Sequence, residues 1–324
     1  MFTHRIAGLL AALGLCIAAP APAQQPKEIS FGILSTESSQ NLKQDWQPLL
    51  SDMEKRTGLK VNAFFAPDYA GVIEAMRFNK VQVAWLGNKA GVEAVDRANA
   101  EVFAQVVNAD GSQGYYAMLS VHKDSPYQSV NEVLKAGPAL NFGMGDPNST
   151  SGFLVPSYYL FALNKVDPKT AFKAVRSANH EANIMALANK QLDAAIHSSD
   201  VLERIEKRQP DAAAKLRVVW KSPLIAGDPV MWRKDLDADS QQRVKQFFLG
   251  YGKGADAARE LAILNKLTLS GFRESSNAQL TPTRQLELFR EKTRLEADAG
   301  NTSPEKAARL DAINKKLSEL QAAL

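Results

Sequence analysis

Two stretches of this 324-residue chain repeat one another at a constant offset of 111, and that repeat restricts the fold more than any other feature. "DYAGVIEAMRFNKVQVAWLGNK" (68–89) aligns with "NHEANIMALANKQLDAAIHSSD" (179–200). Ile73 falls on Ile184, Ala75 on Ala186, and Met76 faces Leu187. Val81, Gln82, Val83 and Ala84 face Leu192, Asp193, Ala194 and Ala195. Each copy reads turn, amphipathic helix, turn, strand. Two amphipathic helix–strand units can agree by chance. Taken as a true repeat, they predict two α/β lobes of like topology in one chain.

The surrounding segments agree. "EISFGIL", "KVNAFFA" and "VQVAWLG" read as strands, and "DWQPLLSDMEKRTG" as an amphipathic helix ended by glycine. Strands alternating with helices predict mostly parallel sheets. In such sheets ligands sit beyond the carboxyl ends of the strands. Tyr69 and Trp85 to Lys89 in one copy, and His180 and Ile196 to Asp200 in the other, should therefore face a common cleft. Tyr69 and His180 are equivalent, so each lobe would supply one hydrogen-bonding ring.

The first residues carry a different message. Arg5, the apolar run "IAGLLAALGLCIAA" and the "APA" that ends at Ala23 read as a secretory signal cleaved after Ala23. That leaves 301 residues with a net charge of +3. Cys16 is the only cysteine, and Leu15 before it does not suit lipidation. The mature chain can then form neither disulfides nor thiolate metal sites, and must rest on a large core. No later apolar run is long enough for a bilayer, so a soluble exported protein is expected. The mild, scattered positive charge gives no case for nucleic acid.

"KSPLIAGDPVMWRKDL", after Trp220, reads as a return crossing. The expected organisation is a discontinuous first lobe (24–117 and 221–275), a second lobe (118–220) and a C-terminal helical extension (276–324). In the extension, "TRQLELFREKTRLEAD" is a charged helix. A second helix starts with Ser303 as cap and Pro304 at its first position, or with Thr302 and Glu305 as a capping box. Leu310, Ile313, Leu317, Leu320 and Leu324 recur at alternating spacings of three and four. Such a seam either docks on its own lobe or makes a homodimer through residues 280–324.

The segment most suggestive of chemistry is "MGDPNSTSGFLVP" (144–156). Asn148, Ser149, Thr150, Ser151 and Gly152 lie between an apparent strand and an apparent helix. One such residue suffices as a helix cap. Several hydroxyls at a helix N-terminus also suit a tetrahedral oxyanion, because unpaired N–H groups and the positive dipole end point the same way. Gly152 would let the backbone approach the ligand. Pro156 leaves the start of the helix open.

Enzyme signatures are absent from the sequence: there is no G-x-S-x-G, Walker loop or G-x-G-x-x-G. Nor is a cofactor or a metal site expected. His122 reads as a turn or surface residue, and His197 with Asp193 makes a poor metal pair. Asp228, in the turn of "PLIAGDPV", either caps its own turn or aims a carboxylate at a cationic ligand group.

Several of these stretches together, "FGILSTESSQNL", "VNAFFAPDYAGVIEAMRFNKVQVAWLGN", "GDPNSTSGFLVP", "NHEAN" and "WKSPLIAGDPVMWRKDL", resemble the phosphonate-binding periplasmic proteins of ABC importers across the mature chain. The resemblance implies a two-lobed type II periplasmic-binding-protein fold that closes on its ligand and hands it to a membrane permease. It implies that Ser149, Thr150 and Ser151, with Tyr69 and His180, hold the phosphonate oxygens. It also implies that Tyr115 lines the cleft and that Asp200 and Asp228 meet the organic tail of 2-aminoethylphosphonate-like ligands. At position 200 the family typically carries glutamate, so tail specificity is where this chain departs. The alternatives are the same fold binding phosphate, phosphite or methylphosphonate, an exported enzyme of phosphonate breakdown, or an adhesive role for the C-terminal helices.

Overall fold

The structure is a computed structural model that describes residues 27–322 apart from 299 and 301. The expected signal segment with Cys16 and Ala23, and the last seam residue Leu324, lie outside the described residues.

The chain begins with β1 (Glu28–Ile33), β2 (Lys60–Phe65), β3 (Val83–Trp85) and β4 (Ala100–Asn108). It crosses through β5 (Gly114–Tyr115) into β6 (Ala117–His122), β7 (Asn141–Met144), β8 (Ala174–Ser177), β9 (Ala194–Ser198) and β10 (Leu216–Lys221). It returns through β11 (Ile225–Ala226), which pairs with β5, to β12 (Pro229–Arg233) and β13 (Leu269–Glu274). One sheet has the order β13-β4-β12-β3-β1-β2 and the other β10-β6-β9-β7-β8. Each has its own apolar core. Phe31, Trp46, Phe103 and Phe248 anchor the first, and Phe142, Phe161 and Phe172 the second.

The repeat holds to the residue. The helices Tyr69–Arg77 and Asn88–Arg97 recur 111 residues later as His180–Ala188 and Ser199–Arg208. Asp68 and Asn179 cap the first helix of each pair. Asn79 and Lys190, again equivalent, both take the left-handed conformation (φ 55°). The agreement also extends beyond the stretches that are similar in sequence. Ser38 caps the helix Ser39–Thr57, and Ser149 caps the helix Thr150–Leu154. The first of these ends, as expected, at a left-handed glycine, Gly58.

The expectation of mostly parallel sheets needs correction. Only β2-β1-β3 and β8-β7-β9 are parallel; β12, β13, β6 and β10 pair antiparallel to their neighbours. The crossing explains β6 and β12, beside which β10 and β4 then pair antiparallel. A strand entering a sheet from the other lobe comes from the side where β3 and β9 end, so it must run against them.

His122, expected at a turn or surface, instead ends β6 largely buried, its Nδ1 accepting the Asp124 amide at 3.2 Å. His197 and Asp193 are engaged apart from one another. Asp193 Oδ2 accepts the Asn141 amide at 2.7 Å, and His197 Nε2 lies 2.7 Å from Ser120 Oγ. Burial holds the His197 pKa down at about 4, against 6.5 for a free imidazole. The unfolded chain therefore binds more protons between these values, and stability falls as pH drops through that window. At pH 5 the loss is about 2 kcal/mol from this residue. His197→Gln should thus flatten the fall in melting temperature between pH 7 and pH 5. An unchanged fall would assign the effect elsewhere.

Among the described residues no helix is long and apolar enough to cross a membrane. The C-terminal helices Thr281–Ala297 and Pro304–Ala322 pack on each other, with Ser303 Oγ accepting the Lys306 amide as the cap. Ile313 is buried, whereas Leu310, Leu317 and Leu320 are half-buried. The first of these helices touches both lobes. Glu287 meets Lys89 at 3.5 Å, and Arg290 lies over the Phe153 ring at 5.5 Å.

Candidate functional site

β7 ends at Met144, and the turn that follows is held by Asp146, whose Oδ1 accepts the Asn148 amide at 2.7 Å. Ser149 then caps the next helix, its Oγ accepting the Gly152 amide at 2.9 Å. That helix is wide, with the Leu154 amide reaching Ser149 O at 3.1 Å, and it runs into Pro156. A wide turn suits a segment that must absorb a proline with no N–H to give. So the plain capping role is real for Ser149, while Thr150 and Ser151 are left to line a cavity.

Gly152 has a packing reason beside the one expected. A Cβ there would stand 2.9 Å from Gly145 Cα, 2.8 Å from Ser149 Oγ and 3.0 Å from His180 Cε1. The glycine lets the helix start pack on the strand end, bonding Gly145 N to Gly152 O at 2.8 Å.

The cavity gathers all eight residues singled out from the sequence: Tyr69, Tyr115, Ser149, Thr150, Ser151, His180, Asp200 and Asp228. Tyr69 and His180 begin equivalent helices and meet across it on Ser149. The Tyr69 hydroxyl bonds to Ser149, and His180 Nε2 stands 3.5 Å from Ser149 Oγ. Gly87 beyond β3 and Ser198 at the end of β9, which the strand-end rule placed at the cleft, also line the cavity, and so do Leu34 and Thr36 just beyond β1, which sequence reasoning did not single out. Thr36 was within reach of the strand-end rule, had it been applied to β1 as it was to β3 and β9.

Bonds across the cleft hold the lobes closed around this cavity. Thr150 Oγ1 accepts the Lys89 amide at 2.8 Å, and Asp146 Oδ2 accepts the Tyr69 amide at 3.2 Å. The Glu181 carboxylate sits on the N-terminus of the helix Ser39–Thr57, taking the Ser38 amide at 2.6 Å and Asn41 Nδ2 at 2.7 Å.

One end of the cavity is rich in neutral donors. Burial pushes the Tyr69 and Tyr115 hydroxyls above their ordinary range and lowers the His180 pKa to about 4, so all three stay uncharged at neutral pH. Lys89 Nζ is turned away, toward Glu93 and Glu287. This end thus offers hydroxyls and N–H groups, with no cationic side chain among its described lining residues.

The other end holds the two acids, which differ. Burial raises Asp200, but nearby Arg204, a Ser198 hydrogen bond and His180 together outweigh it and hold the carboxyl below its ordinary value; Arg204 Nη2 is 3.1 Å away. Burial and the Asp200 charge both push Asp228 well above the usual carboxylate range, with the Tyr115 hydroxyl in hydrogen-bonding contact as partial compensation. Thr36 Oγ1, His180 Nδ1 and Asp228 Oδ1 are buried without a partner in the protein. Beyond the acids the cavity continues into a space walled by Trp46, Trp85, Leu42 and Arg204.

A family profile described as "ABC transporter, phosphonate, periplasmic substrate-binding protein" matches residues 31–280. The phosphonates-binding periplasmic protein of Escherichia coli is 50% identical over 297 residues, covering 92% of this chain and 87% of that one. The structure of a binding-protein component of an ABC phosphonate transporter from Pseudomonas aeruginosa superposes with a TM-score of 0.89 at 50% identity, covering 93% of this chain and 98% of that one. Prochlorococcus marinus PhnD1, solved in complex with methylphosphonate, shares the fold with a TM-score of 0.71 at 21% identity, covering 81% of this chain and 97% of that one. These neighbours are periplasmic binding proteins, substrate carriers rather than enzymes, and the chain belongs to the phosphonate-binding periplasmic family of ABC transporters.

Proposed function

We propose that the cleft takes a phosphonate with a cationic tail, of the 2-aminoethylphosphonate type. One observation carries the reading: a cluster of neutral donors adjoins a buried carboxylate, Asp228, that has no cation of its own. Thr150, Ser151, Tyr69 and His180 hold the oxyanion, with the Ser149-capped helix N-terminus beneath it. Asp228, with Asp200 and Tyr115, receives the ammonium group. Buried polar atoms are costly unless paired, so Thr36 Oγ1 and His180 Nδ1 join as ligand contacts. Because Tyr69 and Thr36 belong to one lobe and Ser149 to Ser151 to the other, ligand favours the closed state. The lobes themselves are assigned as 24–117 with 221–275, and 118–220. Mass spectrometry of ligand co-purified with native protein, then calorimetry against 2-aminoethylphosphonate, ethylphosphonate, methylphosphonate, phosphite and phosphate, tests the reading. It requires the amine to bind most tightly.

A second reading has the same oxyanion with a short uncharged tail, as in the methylphosphonate bound by PhnD1. It is favoured by the upward shift of Asp228, which in its neutral form no longer repels an anion.

We further propose export with cleavage after Ala23, delivery to an inner-membrane permease, and a homodimer through residues 280–324. The half-buried stripe of Leu310, Leu317 and Leu320 supports the dimer. Removing residues 303–324 should leave a monomer that still binds ligand. Full-length protein that sediments as a monomer at high micromolar concentration would dispose of the dimer.

A further inference from the structure

The two acids of the cavity are not equivalent, and the reason lies outside it. Arg204 follows Asp200 by one helical turn on Ser199–Arg208, in the second lobe. Its guanidinium is almost wholly buried and divides its bonds between the lobes. Nη2 donates to Asp200 Oδ2 at 3.1 Å in its own lobe. Nε donates to Glu37 Oε1 at 2.5 Å, and Nη1 to Thr268 Oγ1 at 3.0 Å and to Leu267 O at 3.3 Å, all in the first lobe. Glu37 is also bonded by Arg208, which reaches Asp45 at 2.7 Å.

We propose that Arg204 is a positioning and specificity-determining residue, which latches the closed cleft through Glu37 and Thr268 while neutralising Asp200, so that Asp228 alone discriminates for a cationic tail. The inference deepens the phosphonate reading and rests on it. The Arg204–Asp200 pair lies within one helix and survives opening. The bonds to Glu37, Thr268 and Leu267 exist only when the lobes meet. A planar fork with donors on several edges can serve both at once, which a point charge cannot. The latch therefore adds to the affinity of every ligand that closes the cleft. The neutralised Asp200, by contrast, moderates the preference for an amine, because the ligand ammonium meets one uncompensated acid rather than two.

Three variants of the full chain separate these effects, measured by calorimetry at pH 8 with 2-aminoethylphosphonate and ethylphosphonate. Arg204→Gln should weaken ethylphosphonate by roughly ten- to a hundredfold, as loss of charge-assisted bonds predicts. Its preference for the amine should rise at least about threefold, because Asp200 is then uncompensated. Glu37→Gln leaves the Arg204–Asp200 pair in place, so it should weaken both ligands by the same factor. Arg204→Lys keeps a charge beside Asp200 without the fork, and should behave like Glu37→Gln. It also serves where Arg204→Gln fails to fold. An Arg204→Gln protein with wild-type melting but an unchanged or reduced amine preference overturns the neutralising role. Wild-type ethylphosphonate affinity in Glu37→Gln overturns the latch. A wild-type protein that shows no amine preference at all sinks the cationic-tail reading by itself, and the latch then stands or falls on ethylphosphonate affinity in the Glu37→Gln and Arg204→Lys variants.

Discussion

Replacing Thr150 with valine should lower phosphonate affinity by roughly a hundred- to a thousandfold. The substitution keeps the volume and the β-branch and removes only the hydroxyl. That hydroxyl has two tasks. Its oxygen accepts the Lys89 amide from the opposite lobe at 2.8 Å, and its proton is free to bond a ligand oxygen. Valine removes the charge-assisted bond to the anion, and it leaves the Lys89 amide buried and unpaired whenever the cleft closes. Both losses fall on the closed, liganded state. The ligand-free melting temperature should therefore barely move, since in an open cleft the Lys89 amide is satisfied by water. Calorimetry with methylphosphonate, paired with thermal melting of ligand-free protein, separates the possibilities. Unaltered affinity would take the Thr150 hydroxyl out of the anion site.

Asp228→Asn should cut affinity for 2-aminoethylphosphonate by roughly two to three orders of magnitude and leave ethylphosphonate within about threefold, because breaking one side of a buried charge pair costs about 3–5 kcal/mol. Asparagine keeps the shape and one acceptor but cannot meet an ammonium as a charge. Burial and neighbouring Asp200 push Asp228 toward its neutral form, and in the proposed reading an incoming ammonium would return it to the ionised form. The same change at Asp200 should do less. Arg204 already supplies that carboxylate with a cation at 3.1 Å, so the ligand is not its main partner. Equal losses for the two phosphonates in Asp228→Asn would make the acid structural and the ligand free of any amine.

Much of the site was legible in the chain because it follows from local rules. A helix N-terminus rich in hydroxyls, at the carboxyl end of a strand, describes Ser149 to Ser151 without knowledge of the fold. The 111-residue offset placed Tyr69 and His180 opposite one another, and they meet at Ser149. The assignment of the tail to Asp200 and Asp228 came instead from family resemblance, since a turn aspartate caps itself as readily as it binds a ligand. What escaped depends on contacts between distant segments. The antiparallel β6 and β12 follow from the direction in which the chain re-enters each lobe, and no local periodicity encodes that. Gly152 answers to the close approach of Gly145, and Arg204 to Glu37, across 167 positions of sequence. The seam at the C-terminus was readable as a stripe, but its coverage is set by the neighbouring helix.

The pairing of Ser38 with Ser149 bears on how many anions one molecule can hold. A chain built from two equivalent halves inherits two equivalent seats, each a serine-capped helix start beyond a strand. Here the halves have diverged in tenancy. The first seat is taken by the side chain of Glu181, delivered from the other half, and the second faces the cavity. In the proposed reading that leaves one such seat open to a phosphonate. The tethered carboxylate also makes the first seat a sensor of approach, since it is filled only when the halves come together. In this chain one seat has become part of the closure itself.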